Sequence, residues 1–261
     1  MNKFLNDIKK YKNYIKYSVT AELNSEVANS YLGWLWWVLD PLFFMLIYTF
    51  ISVMVFKSKE PNFPVFVFIA LILWNFFNFM MVQSTRLVTN NKDTVTKIYI
   101  PKHILIINKM GVYLFKTFIS FCLIVMMMIF FKVPFSFHIF EIIPVFASLI
   151  IVTFGFSTVL THYGVFVEDL SNFTNILLKL VFYLSGIFYL VSKQIPSPYS
   201  DYLLIGNPMA FLIESARNVL LYAKSPNYLL LGLWTLIGIG FSIIGIKTIY
   251  KYENSYVKVI K

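Results

Sequence analysis

The side chains that could carry out chemistry are few and scattered along the chain. The three histidines, His103, His138 and His162, lack the paired spacing that holds a metal ion. Asp40 could act as an acid in a membrane enzyme, but no partner group accompanies it. A cap for a helix that restarts at Pro41 is the simpler interpretation. We therefore expect no catalytic residues and no metal ligands in this chain.

A nucleotide site is also missing from the sequence. The phosphate loop G-x-x-x-x-G-K-[ST], whose backbone amides cradle phosphates, does not occur. We expect no cofactor in this chain, so that any ATP and Mg²⁺ would be bound by a separate polypeptide.

The composition is that of a membrane protein. Of the 261 residues, 59% are hydrophobic and only 13% are charged, and the mean hydropathy is +0.73. This is too much apolar surface for one soluble core. The net charge of +10 comes from basic residues at the ends of apolar segments. That arrangement favours lipid headgroups over nucleic acid as the partner.

The apolar segments predict an all-α, polytopic fold with one transmembrane domain, residues 1–261. Residues 1–29 alternate lysines with apolar residues at helical spacing, which predicts an amphipathic helix in the headgroup plane, or alternatively a solvated basic tail. Residues 30–261 contain the spans. We place six of them near 34–56, 65–84, 107–131, 139–162, 174–192 and 228–249.

The distribution of Lys and Arg predicts the orientation. The N-terminus, the segment 85–103 and the C-terminus together hold 13 of them, whereas the connections on the other side hold six, including Lys57 and Lys59. Because basic residues accumulate on the cytoplasmic side, both termini should lie in the cytoplasm, with the chain in the cytoplasmic (inner) membrane.

The stretch from Ser30 to Phe56 carries the most distinctive motif. Its pattern S-x-LG-x-LW-x-x-x-x-P-L resembles the first span of ABC-2 type permeases, in particular the branch that exports lipid-linked O-antigen, capsule and teichoic acid. An ordinary first span with a tryptophan belt is the alternative. The resemblance extends along nearly the whole chain, with departures. Relatives carry basic residues before this motif, where this chain has Glu22 and Glu26, and often Arg-Asp where it has Glu168-Asp169.

The segment 85–105 resembles the stretch through which such permeases contact their ATPase. The matching residues are Asn91, Lys97 and Pro101, and Asp93 adds a charge. Asn91 and its neighbours could cap a short helix here. A plain amphipathic loop helix is the alternative.

A second short helix is predicted after two prolines, Pro196 and Pro198, that should end the fifth span. Asn207 is a good N-cap and Pro208 suits the first helical position. The 15 residues that follow Asn207 make about 22 Å of helix, too short to span. Glu214 and Arg217, three residues apart, could pair on one face. The segment resembles the family's outer gate helices.

Aromatic residues make up 19% of the chain and could line a path for sugars. The alternative is lipid-facing packing and interfacial belts. Five rings are our candidates for a lumen: Trp36, Tyr48, Trp74, Phe77 and Tyr183.

The resemblance implies the channel-forming subunit of an ATP-driven exporter of a polyprenyl-diphosphate-linked polysaccharide. The implied partners are a second copy of the chain, two copies of an ATPase subunit, the glycan substrate and membrane lipids. One alternative is an ABC-2 permease for a small drug or lipid. Another is a membrane-embedded glycan or lipid transferase, which would need carboxylate or histidine groups clustered at one depth.

The missing phosphate loop gives a first prediction. The purified chain, free of any partner, should hydrolyse no ATP, because it has no P-loop to hold the nucleotide. A phosphate-release assay on the chain in detergent or vesicles measures this. Turnover that survives removal of every trace of a partner ATPase would contradict it.

Overall fold

The computed structural model describes residues 2–28, 30–51, 54, 60 and 62–260, and this part of the chain contains helices and no strands. Two 3-10 turns, Gly33–Leu35 and Phe137–Glu141, lead into longer helices. The α-helices are α1 (Asn2–Val27), α2 (Trp36–Phe50), α3 (Phe63–Thr85), α4 (Leu87–Asn90), α5 (Lys92–Lys97), α6 (Lys102–Phe130), α7 (Ile142–Phe166), α8 (Leu170–Leu184), α9 (Val191–Gln194), α10 (Tyr199–Gly206), α11 (Pro208–Leu221) and α12 (Tyr228–Ile260).

Within the described part of the chain, five helical segments are long and apolar enough to cross a membrane, which makes the chain a multi-pass membrane protein. They are Gly33–Phe50, Phe63–Thr85, Lys102–Phe130, Phe137–Phe166 and Tyr228–Tyr256. These five correspond to five of the six predicted spans. The end of the predicted first span, with Lys57 and Lys59, lies outside the described residues.

The prediction that a helix restarts at Pro41 is wrong. Helix α2 begins at Trp36 and continues through Pro41 without a break. Proline removes one backbone donor, so only the carbonyl of Trp37 loses its usual partner four residues on. The helix tolerates this loss near its start.

Helix α3 forms the centre of the molecule. It packs against α2, α6, α7, α8 and α11. The residues from Val65 to Leu73 are all at most 3% exposed. A helix that is apolar on every side is suited to such a central position.

Helices α7 and α12 approach each other closely through glycines. A Cβ atom on Gly155 would lie 2.5 Å from the carbonyl oxygen of Gly238, and a Cβ on Gly238 would lie 2.9 Å from the backbone of Val152. Small residues permit such contact between membrane helices, where packing drives association. The two helices therefore form one closely packed pair.

Side-chain contacts define the two ends of the bundle. At one end, which we call the Glu60 end, Glu60 accepts hydrogen bonds from Lys193 and Tyr222. At the opposite end, the Tyr99 end, Tyr99 donates to Glu253. Helix α3 begins at the Glu60 end, and α12 has its C-terminal part at the Tyr99 end.

The predicted span 174–192 differs most from the structure. Helix α8 starts near the Tyr99 end and stops at Leu184 after 15 residues, which make about 22 Å. The chain nevertheless reaches the Glu60 end, because Lys193 lies 3.0 Å from Glu60. The rest of the distance is covered by Ser185–Leu190, which is not helical.

The glycine contact between α7 and α12 gives a second prediction. Gly155→Ala should destabilise the protein by about 1–3 kcal/mol, because its Cβ would press on a backbone atom that cannot move easily. Gly240→Ala is the matched control, since a Cβ there meets nothing within 4 Å. Thermal unfolding in detergent measures both. Equal melting temperatures for the two variants would show that the helices are not in close contact.

Candidate functional site

The non-helical segment that follows α8 is the most unusual feature of the structure. Helix α8 ends where Gly186 takes a φ of +66°, a left-handed conformation that favours glycine and commonly ends helices. The prediction that Pro196 and Pro198 end this helix is therefore wrong. The end of α8 is held by Asn207. Its side-chain amide donates to the carbonyl oxygen of Leu184 at 3.3 Å and to the hydroxyl of Ser185 at 3.1 Å.

Arg217 supplies donors to the broken segment. Its guanidinium donates to the carbonyl oxygens of Gly186 at 2.6 Å, Ile187 at 2.5 Å and Tyr189 at 3.2 Å. It also donates to the carbonyl oxygen of Phe66 on α3, at 3.0 Å. The side chain is 1% exposed, and its central carbon lies 3.4 Å from the centre of the Phe66 ring. We call this arrangement the Arg217 clamp.

The clamp meets a strict physical requirement. Irregular backbone at membrane depth is tolerated only where protein or water satisfies its polar groups, because each unsatisfied group costs several kcal/mol. A guanidinium is planar and presents five N–H donors in a rigid fork. It can therefore serve several carbonyl oxygens at once.

The predicted ion pair between Glu214 and Arg217 does not form. Among the described residues, the guanidinium donates its hydrogen bonds to carbonyl oxygens. The carboxylate of Glu214 instead accepts from the backbone N–H of Ser192, at 3.3 Å. It thereby holds the start of α9, whereas Arg217 holds the segment before it.

The predicted cap of α11 is confirmed. The side chain of Asn207 accepts hydrogen bonds from the backbone N–H groups of Met209 and Ala210, and Pro208 is the first helical residue. The helix has 14 residues, about 21 Å, against the roughly 30 Å of a bilayer core. Most of its side chains are buried against α3, α7 and α10, which agrees with a helix that does not span.

Three further residues at the Glu60 end were not predicted. Glu60 accepts from the ammonium of Lys193 at 3.0 Å and from the phenol of Tyr222 at 2.9 Å. These contacts join the start of α3, helix α9 and the end of α11. The contacts span 133 and 162 positions of sequence, so no local pattern could indicate them.

At the Tyr99 end, the segment 85–105 contains the predicted short helix. Asp93 and Lys97 on α5 are exposed, whereas Val95 is 5% exposed and anchors the helix. Asn91 precedes α5 but does not cap it, because its amide donates back to the carbonyl of Leu87. Pro101 comes directly before α6. The charged face of α5 is thus free to meet another protein.

The comparisons with known proteins decide the family. A family model described as ABC-2 type transporter matches residues 14–221. The chain belongs to the ABC-2 type transporter family. The chain is also similar to two proteins of Klebsiella pneumoniae named O-antigen export system permease protein RfbA, at 25% identity over 242 residues and 24% over 240, each covering 92% of both chains. A protein of the same name from Myxococcus xanthus is 24% identical over 232 residues, 87% of each chain.

Membership of this family implies an ATP-binding partner subunit.

The five aromatic residues that we proposed for a lumen lie in different surroundings. The structure brings Tyr48 and Trp74 together around Phe182, with ring centroids 6.4 and 5.4 Å away. Trp74 and Phe77 are buried by their own chain, whereas Trp36 is 42% and Tyr183 67% exposed. Of these four side chains, Trp36 and Tyr183 could face a lumen in one copy of the chain without a change in its structure, whereas Trp74 and Phe77 could not.

Two of the acidic residues that depart from the family pattern, Glu22 and Glu26, have clear partners. Glu22 pairs with Lys109 at 2.5 Å and Glu26 with Lys116 at 2.6 Å. Both pairs join α1 to α6, so the lysines inside the predicted third span are neutralised by α1. Neutralisation lowers the cost of a charge in the membrane.

The clamp gives a third prediction. Arg217→Ala removes a side-chain donor from four carbonyl oxygens and leaves those of Ile187 and Tyr189 with no donor among the described residues, at about 1–3 kcal/mol each, so it should lower the melting temperature strongly. Glu214→Gln keeps an oxygen that can accept from Ser192, so it should cost little. Arg86→Ala, at an exposed arginine, is the matched control. Equal losses in Arg217→Ala and Glu214→Gln would indicate an ion pair rather than a carbonyl clamp.

Proposed function

We propose that this chain is the channel-forming permease subunit of an ATP-driven exporter of a polyprenyl-diphosphate-linked polysaccharide. The observation that carries the proposal is the similarity to permeases named for O-antigen export, which extends over 87–92% of both chains. The family model, which matches residues 14–221, covers the motif of the first span and α11.

The Tyr99 end faces the cytoplasm in this proposal. The lysine-rich α1, the segment 85–103 and the end of α12 meet there, and the basic residues of these segments outnumber those of the other side. The protein lies in the cytoplasmic membrane with both termini inside. Helix α8 and the clamped segment then form the sixth crossing, and α10 with α11 enters the membrane from outside and returns.

A homodimer forms the conduit. Helix α8 packs against α3 on one side and exposes large apolar residues on another face. These residues are Phe173, Ile176, Leu180 and Tyr183. A second copy would cover part of this face and place Tyr183 and Trp36 beside the path of the glycan. Sugars bind on aromatic faces, so rings along the path would let a glycan slide past.

Two copies of an ATPase subunit bind at the Tyr99 end. The exposed charged residues Asp93 and Lys97 on α5 contact the ATPase subunit, because the segment 85–105 resembles the stretch through which permeases of this family bind their ATPase. Nucleotide-driven closure of the ATPase moves this segment, and the movement opens the conduit to a glycan from the cytoplasmic leaflet.

Reconstitution tests the function. Vesicles that hold the permease and its ATPase subunit should move a polyprenyl-diphosphate-linked oligosaccharide to the opposite face only when ATP is supplied on the cytoplasmic side. Accessibility of the sugar to an added glycosidase measures the movement. Vesicles that move a small amphipathic drug but no glycan would support a drug or lipid permease instead.

Cross-linking tests the ATPase contact and the orientation. The single cysteine, Cys122, is replaced by serine, and Asp93→Cys is introduced on α5. This variant should cross-link to the ATPase subunit, because Asp93 lies on the face proposed for docking. Phe137→Cys, 91% exposed at the start of the α7 segment, is the control and should not. The reverse result would mean that the topology is inverted.

A further inference from the structure

Tyr99 joins three elements that are far apart in sequence. It lies between α5 and α6, directly after the proposed ATPase contact. Its phenol donates to the carboxylate of Glu253 on α12 at 2.9 Å, and its carbonyl oxygen accepts from the phenol of Tyr11 on α1 at 3.3 Å. A movement of α5 therefore reaches α1 and α12 through one residue.

Glu253, whose carboxylate accepts this hydrogen bond, is largely buried. It is 9% exposed, and its second carboxylate oxygen has no partner among the described residues. The nearby cation is Lys102, itself 2% exposed, with its nitrogen 5.5 Å from the centre of the Tyr99 ring. Tyr99 is 57% exposed, and partial burial and, next, the hydrogen bond to Glu253 raise its pKa to about 12. A hydrogen bond to a charged acceptor is among the stronger ones.

The α7–α12 pair continues from this bond to the far side of the membrane. Helix α12 has 33 residues, about 50 Å of helix, and it is packed against α7 through the glycines described above. Near the Tyr99 end, His162 of α7 lies 2.7 Å from the phenol of Tyr256 of α12. The two helices are thus tied together at the cytoplasmic end as well as in the middle.

At the Glu60 end, the same pair contacts the segment that follows the gate helix. The hydroxyl of Ser225, between α11 and α12, donates to the carboxylate of Glu141 at 3.0 Å and lies 3.2 Å from His138. His138 and Glu141 lie in the 3-10 turn that leads into α7. Helix α11 also packs against this turn and against α7.

We propose that Tyr99 and Glu253 are positioning residues that pass the movement of the ATPase-contacting segment to the α7–α12 pair, which carries it to the outer gate. The inference rests on the proposed function for the direction of the movement. The hydrogen bond transmits force because it joins this segment directly to α12, beside the contact between the rings of His103 and Tyr250. The close glycine packing lets the pair move as one body.

Coupling of ATP hydrolysis to export tests the role of the bond. In the reconstituted complex, Tyr99→Phe and Glu253→Ala should each lower glycan exported per ATP hydrolysed about tenfold, which corresponds to ~1.4 kcal/mol. The ATPase rate itself should remain. Combining the two changes should cost no more than either alone, because they remove one shared bond. Either single variant tests the bond if the other fails to assemble.

Two matched variants separate positioning from general damage. Glu253→Gln keeps an oxygen that can accept from Tyr99, so it should couple nearly as well as the unaltered chain. Tyr17→Phe removes the phenol of a tyrosine that is 81% exposed on α1, and it should have no effect. Unchanged coupling in Tyr99→Phe, or equal failure of Glu253→Gln and Glu253→Ala, would overturn the proposal.

A distance measurement does not depend on the substrate. In the Cys122→Ser background, spin labels at Phe137→Cys and Gln194→Cys report how the start of the α7 segment moves relative to α9. Nucleotide on the ATPase subunit should change this distance, and Tyr99→Phe should abolish the change. A change in distance that persists in Tyr99→Phe, or no change in either protein, would refute the proposed path from Tyr99 through the α7–α12 pair. A change in distance that depends on Tyr99 but is not accompanied by glycan export would refute only the proposed substrate.

Discussion

Backbone carbonyl groups need hydrogen-bond donors wherever water is absent, and Arg217 supplies donors to the non-helical segment that follows α8. Without the clamp, the carbonyl oxygens of Ile187 and Tyr189 would have no donor among the described residues. The same side chain also binds the first turn of α3 through Phe66. The clamp therefore joins the broken crossing to the centre of the protein.

The rest of the outer region is arranged around this contact. Helix α11 is short because it must present Arg217 to the break and still end beside Glu60, where Tyr222 binds. Asn207 begins the helix and at the same time holds the end of α8. Loops and helix ends that carry binding partners of this kind can be repositioned without disturbing the long spans.

The sequence predicted what depends on local pattern. Five spans follow from apolar length, and the cap at Asn207 follows from residue type. The helix end at Leu184 was missed because Gly186 lies inside an apolar run and the stabilising arginine lies about 30 positions away. The pairing of Glu214 with Arg217 was expected from spacing alone, but the guanidinium donates to carbonyl oxygens of α3 and of the segment after α8, and Glu214 accepts from Ser192. The partners of Glu22 and Glu26 likewise depend on how α1 packs against α6.

The central claim is that a 15-residue helix and a clamped, non-helical segment together cross the membrane. Its most direct test is the sidedness of two exposed positions, Glu168 before α8 and Gln194 after the break. Each is changed to cysteine in the Cys122→Ser background and exposed to a membrane-impermeant thiol reagent in intact cells. We predict that Gln194→Cys reacts from outside and that Glu168→Cys reacts only after the cells are opened. Reaction of both from the same side would contradict it.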